Sequence, residues 1–255
     1  MLDGCFPPDV ALPAWFPNNK DNAISFRRSQ DVILRGIIAS EPNCVTTYPR
    51  ITWKVSTTIL NDDGSYSLQE QSFNTLSTEL KLSKRTLNHG VHNITFKVDM
   101  PSNGLGFETT GYITIVKSPL IAGIVGGSTV SRSNSEPIML NGSPSRDPDV
   151  KPGDHSSMAF TWLCKKQYES FPYESDVSNI PIVTPDTGPS QWGGCFGTGV
   201  GRLNSSDITT TLDSSKLTVG YTYIIKLIVA KDDRQADFEQ GIEIVSGTPP
   251  EVTIK

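Results

Sequence analysis

Residues 140–164 read LNGSPSRDPDVKPGDHSSMAFTWLC, and no other stretch constrains the fold as much. It leaves an apolar run (Ile138, Met139, Leu140), passes through a Gly/Ser/Pro/Asp loop, and resumes regular structure at Met158. Met158, Phe160 and Trp162 then alternate with smaller residues, the period of a strand with one buried face. A Trp in mid-strand with Cys164 two residues on fits the middle of a β-sandwich, where the indole fills the space between two sheets. The segment therefore reads as the third strand of an immunoglobulin-like or fibronectin-type-III-like domain.

A chain of 255 residues exceeds one ordinary sandwich, so two domains are expected. Charged residues make up only 19% of it, and Gly 21 and Pro 18 supply many turns, whereas no long amphipathic helix is visible. The predicted class is all-β, two tandem sandwiches at residues 1–118 and 119–247, followed by a linker and the start of another domain at 248–255. A formal charge of −5 leaves no basic stripe to displace phosphate counterions, which excludes nucleic acid as the main partner. No apolar run approaches the roughly 20 residues that cross a bilayer, so the segment itself is not expected to enter a membrane.

Taken in order, the first unit predicts a strand at 32–39, a second at 50–55 with Ile51, Trp53 and Val55 on one face, and a turn at 61–64. Short strands follow at 67–73 and 79–82, then a period-two run through Ile94, Phe96 and Val98, and a closing strand at 107–116. The second unit predicts strands at 138–140, 158–164, 208–212, 221–230 and 238–245. Between them, residues 167–204 form an excursion too long for a bare hairpin. Both units carry a Trp strand (Trp53, Trp162) and later a Leu-x-x-Gly opening an apolar strand (Leu87/Gly90, Leu217/Gly220). Tyr223 stands where a corner tyrosine would return its hydroxyl to the preceding loop. The first unit has Asn93 at that place, with its apolar residues one position out of step.

Several residues are candidates for chemistry. Asp147, Asp149 and Asp154 crowd one loop and are candidate calcium ligands, although Asp-Pro-Asp also forms turns and no Glu follows at a metal-binding spacing. Gly197-Thr-Gly-Val-Gly201 lacks the Lys-Ser/Thr of a phosphate loop, and His89 and His92 sit in a turn with no helix to align them on a metal. No nucleophile–base–acid set and no cofactor motif is read. Phe171, Tyr173, Trp192 and Phe196 decorate the long excursion; they pin it to the domain or, if exposed, form a binding patch. Asn93, Asn141 and Asn204 each begin an Asn-x-Ser/Thr sequon. With four cysteines and no CxxC, these favour an oxidising, extracellular setting over a zinc site.

The pieces FRRSQ (26–30), CVTTYPRITWKV (44–55), VGGS (125–128), LNGSPSRDPD (140–149), FTWLC (160–164) and GGC (193–195) occur in that order along the chain. They resemble the receptor-for-egg-jelly (REJ) region of the polycystin-1 family, across essentially the whole length. The resemblance implies a piece of a large ectodomain on the outer side of a plasma or ciliary membrane. Its implied partners are neighbouring domains of the same receptor and, through the rest of the chain, a polycystin-2-type cation channel subunit. The family's cysteine pattern implies two local disulfides, Cys5–Cys44 and Cys164–Cys195, each worth roughly 3–4 kcal/mol by loop-closure entropy. The expected function is a non-catalytic interaction and spacer module. The alternative is a carbohydrate-binding module stacking glycans on the loop aromatics; a hydrolase on a sandwich scaffold ranks last.

Overall fold

The structure is a computed structural model that describes residues 9–14, 16–39, 49–60, 65–100, 105–172, 177–186 and 192–247. The chain divides into two compact units, Met1–Ser118 and Pro119–Lys255. Among the described residues, the regular structure of both is almost wholly strand. None of the described residues forms a helix long and apolar enough to cross a membrane.

In the first unit the strands are β1 (Asp9–Ala11), β2 (Ile24–Arg27), β3 (Val32–Arg35), β4 (Ile37–Ala39), β5 (Arg50–Leu60), β6 (Tyr66–Thr75), β7 (Glu79–Leu82), β8 (Gly90–Met100) and β9 (Leu105–Val116). A five-stranded sheet in the order β2-β9-β8-β5-β6 faces the β3-β7 pair, while β1 pairs with β4. The alternation at Ile51, Trp53 and Val55 on β5, and at Ile94, Phe96 and Val98 on β8, sends one row from each strand into the core. There the Trp53 and Phe96 rings lie 4.6 Å apart in a tilted pair.

The single strand expected over residues 32–39 is two strands. Gly36 separates them because a Cβ at that position would run into the Phe96 ring. Its amide instead bonds Thr78 O at 2.7 Å. The chain thereby leaves β7 and moves on to β1, and Ile33 and Ile37 face outward. The turn predicted at 61–64 lies outside the described residues.

The second unit contains β10 (Thr129–Ser133), β11 (Ile138–Asn141), β12 (Ala159–Lys166), β13 (Ile182–Val183), β14 (Gly201–Leu203), β15 (Thr209–Leu212), β16 (Thr222–Lys231) and β17 (Arg234–Val245). A six-stranded sheet, β10-β17-β16-β12-β14-β13, packs on the β11-β15 pair. β12 holds its centre, with Trp162 opposite Leu227 of β16. The apolar run 120–125 puts Leu120 and Ile124 into the core but pairs only through a bridge from Ile121 to Arg146. The edge strand of this sheet is β10, whose Thr-Val-Ser-Arg-Ser sequence carries too little apolar signal to be read in advance.

Candidate functional site: the strap over the central strand

β12 departs from the expected single buried face. Phe160, Trp162 and Cys164 enter the main core, as their alternation requires. Leu163 and Lys165, on the other face, are buried as well. The cover comes from the described parts of the 167–204 excursion (167–172, 177–186 and 192–204), which lie against this outer face as a strap. Ile180 and Val200 close over Leu163 and Ile228 in a small second core, with Phe171 and Val177 packed at its edge. The excursion also supplies β13 and β14, which extend the sheet beyond β12.

Three devices hold the strap. The Cys164–Cys195 disulfide ties its far end to β12, across a Cα–Cα distance of 5.4 Å. Next to it, Gly194 sits at φ 55°, and a Cβ there would lie 2.8 Å from Cys164 O, so only glycine lets the short 3-10 helix Gly194–Phe196 approach so closely. At the near end the Lys165 ammonium donates to Glu169 O at 2.7 Å and sits 4.8 Å from the Phe171 ring centroid. Lys226, itself paired with Asp237 and Glu239, approaches the same ring at 5.3 Å. Burial pushes Lys165 below its ordinary value, partly offset by Glu239 and Glu169.

The aromatic candidates are not gathered into one platform. Phe171 packs on the small core and Phe196 on the main core, whereas Trp192 is 44% exposed. Tyr173 lies outside the described residues, as do Cys5 and Cys44.

The three calcium candidates also separate. Asp154 accepts from the Ser156 amide at 2.9 Å and stays in its own turn. Asp147 and Asp149 are buried, and the cation they face is a guanidinium. Arg234 grips Asp147 with two parallel bonds of 2.9 Å and reaches Asp149 at 3.3 Å, while Lys231 Nζ adds 3.2 Å to Asp147. Burial alone would raise the Asp147 carboxyl, but the bonds from Arg234, the Asp149 amide and Lys231 outweigh it and hold it at about 2. The loop between β11 and β12 is thus fastened to the β16–β17 turn. Sequence reading missed this pairing; its one trace is the Lys-Asp-Asp-Arg spacing at 231–234, which brings both cations to the same turn. Among the described residues, no three His, Cys, Asp or Glu side chains converge as a metal site.

The two corners of the repeat are built from different residues. Tyr223 is buried, and its hydroxyl accepts the Thr218 amide at 2.9 Å, the expected corner geometry. In the first unit the inward residue is His92, not Asn93, which accounts for the one-position offset. His92 Nε2 donates to Asn88 O at 2.8 Å, leaving Nδ1 to accept from Thr57 Oγ1 at 2.6 Å. It forms the floor of a cleft of about 610 Å³ that Gln69, Gln71 and His89 also line. Burial lowers His92 below its ordinary 6.5, only partly offset by the Asn88 bond. The folded state therefore prefers neutral His92, and the unfolded chain takes up the proton first as pH falls. The first unit should melt at a constant temperature above about pH 6.5 and at progressively lower temperatures below it. His92→Gln should flatten that limb; an unchanged slope would show that another group governs it.

The sequons occupy distinct settings. Asn204 is exposed just past β14. Asn93 is half-buried on the outer face of β8, its Oδ1 lacking a hydrogen-bond partner among the described residues. Asn141 Oδ1 accepts the Ser143 amide at 2.9 Å in a tight turn.

The REJ domain family model matches residues 38–255. The polycystin family receptor for egg jelly of Mus musculus is 26% identical over 182 residues, 69% of this chain and 8% of that protein. Polycystin-1 of Homo sapiens is 26% identical over 177 residues, 69% of this chain and 4% of that protein. The chain thus corresponds to a small part of either relative. Among solved structures, the fibronectin(III)-like modules of Clostridium thermocellum CbhA are 11% identical and cover 93% of this chain and 95% of theirs, at a TM-score of 0.28. With the family match running from the first unit through the second, the chain belongs to the REJ domain family.

Proposed function

We propose that the chain is a non-catalytic extracellular spacer and interaction module of a polycystin-1-like receptor, two autonomously folding sandwiches that carry tension between neighbouring domains. One observation carries this reading. In each unit an early strand lies parallel to the last one, β2 on β9 and β10 on β17. The bonds Arg28 N–Val116 O at 3.1 Å and Gly241 N–Ser128 O at 2.8 Å prolong the two pairs. Pulling the ends of such a unit apart loads the parallel pair in shear, so its evenly spaced bonds share the force and do not open one by one. The name of the mouse relative, polycystin family receptor for egg jelly, supports a receptor setting. In it, the module stands outside a plasma or ciliary membrane, and the rest of the chain meets a polycystin-2-type channel subunit.

The same setting calls for a Cys5–Cys44 disulfide and for glycans. Peptide mapping of protein from a secretory host should find Asn93 and Asn204 glycosylated and Asn141 largely bare, because the turn bond and Pro144 hinder the transferring enzyme. Full occupancy at Asn141 with none at Asn93 would contradict this. A glycan array tests the module's role: a spacer binds nothing above background. Binding that disappears in Trp192→Ala would establish the carbohydrate-binding alternative instead.

A further inference from the structure

The strap covers the outer face of β12 only in part. Leu163 and Lys165 are buried beneath it, but Thr161, two residues earlier on the same face, is only half-buried. β14 pairs with β12 at Leu163 and Cys164 alone, so the two strands part toward Phe160. The space between them is a groove of about 380 Å³, lined by Phe160, Thr161, Ile182, Arg202, Asn204 and Ser206 among others.

Three observations set this groove apart from an ordinary surface depression. Its far wall is pinned: Trp162 Nε1 donates to Asp207 O at 2.9 Å, Asp207 N to Ser205 Oγ at 3.2 Å, and Ser205 N to Leu203 O at 2.9 Å. Its lining is mixed, with Ile182 exposed beside the half-buried Arg202. Its rim carries Asn204, the first residue of a sequon.

We propose that the N-glycan of Asn204 completes the cover of β12, its first N-acetylglucosamine lying in this groove instead of extending into solvent. The inference rests on the reading that Asn204 is glycosylated. The tether decides the occupant: a sugar bonded to the groove's own wall is present at an effective concentration in the millimolar range or above, so weak contacts suffice. The less polar face of the sugar ring covers Ile182. Its acetamide oxygen and hydroxyls offer acceptors to the Arg202 side chain that lines the same groove.

The test uses the full chain from a secretory host making oligomannose glycans. It is compared intact, trimmed to one N-acetylglucosamine, and as the variants Asn204→Gln and Ser206→Ala, the second removing the sequon without touching Asn204. The trimmed protein should keep the intact protein's second-unit melting temperature, with both variants about 2–4 °C lower. The acetamide methyl of the Asn204-linked sugar should show nuclear Overhauser contacts to Ile182 or Thr161. A trimmed protein that melts with the variants, or a sugar without those contacts, overturns the groove while the glycosylation reading stands. Mass spectrometry that finds Asn204 bare removes both.

Discussion

Trp162→Ala should abolish secretion of the chain or lower the melting temperature of its second unit by roughly 10–20 °C. The side chain is 0% exposed at the centre of the main core, between Phe160 and Cys164 on its own strand and opposite Leu227. Truncating a buried aromatic costs about 3–5 kcal/mol, a large part of the roughly 5–15 kcal/mol that holds a domain together. Here the loss is compounded, because the indole N–H holds Asp207 O and with it the loop after β14. Secretion yield and calorimetry check this, and a well-secreted variant with unchanged melting would contradict the sandwich core. Trp53→Ala should do comparable damage to the first unit and leave the second intact.

The second large effect is at the Arg234 knot. Arg234→Ala leaves Asp147 buried with Lys231 as its remaining cation partner among the described residues, and breaking a buried pair in this way costs about 3–5 kcal/mol. Arg234→Lys should restore little of it, since an ammonium cannot make the two parallel bonds. The pH dependence separates this from a packing defect. Asp147 titrates at about 2 in the fold against an ordinary 3.8, so the unfolded chain binds its proton first as pH falls. The knot's contribution is therefore complete above about pH 4 and disappears as pH falls toward 2. Without the guanidinium the folded-state carboxyl rises back toward its unfolded value, so the fall in melting temperature between about pH 4 and pH 2 should flatten in Arg234→Ala. An acid limb that keeps its slope in Arg234→Ala would mean that Asp147 is not the group responsible.

The sandwich core was legible because its signals are local. Period-two alternation on β5, β8, β12 and β16, with a Trp in mid-strand, defines an inward face wherever one face is buried. Tyr223 was legible for the same reason, since the Leu-x-x-Gly before it fixes the corner. Alternation fails where both faces are covered. Leu163 and Lys165 look outward in the sequence, and only the fold shows Ile180 and Val200 above Leu163 and the Glu169 carbonyl meeting Lys165. It fails again at Gly36, where a long-range contact with Phe96 splits an apolar run. The acidic loop was misleading because its cation comes from 85 and 87 residues away, a separation at which spacing carries no information. His92 could have been found from the offset between the two corners, since an out-of-step register places the residue before Asn93 inside.

Stretching single molecules between their termini tests most directly whether each unit is a separate sandwich clamped by parallel strands. Two separate force peaks are expected, one for each unit. Reduction should lengthen the second unit's extension by the 31 residues spanned by Cys164–Cys195, roughly 110 Å at about 3.6 Å per residue. One cooperative event for the whole chain, or extension without resolved peaks, would contradict that arrangement.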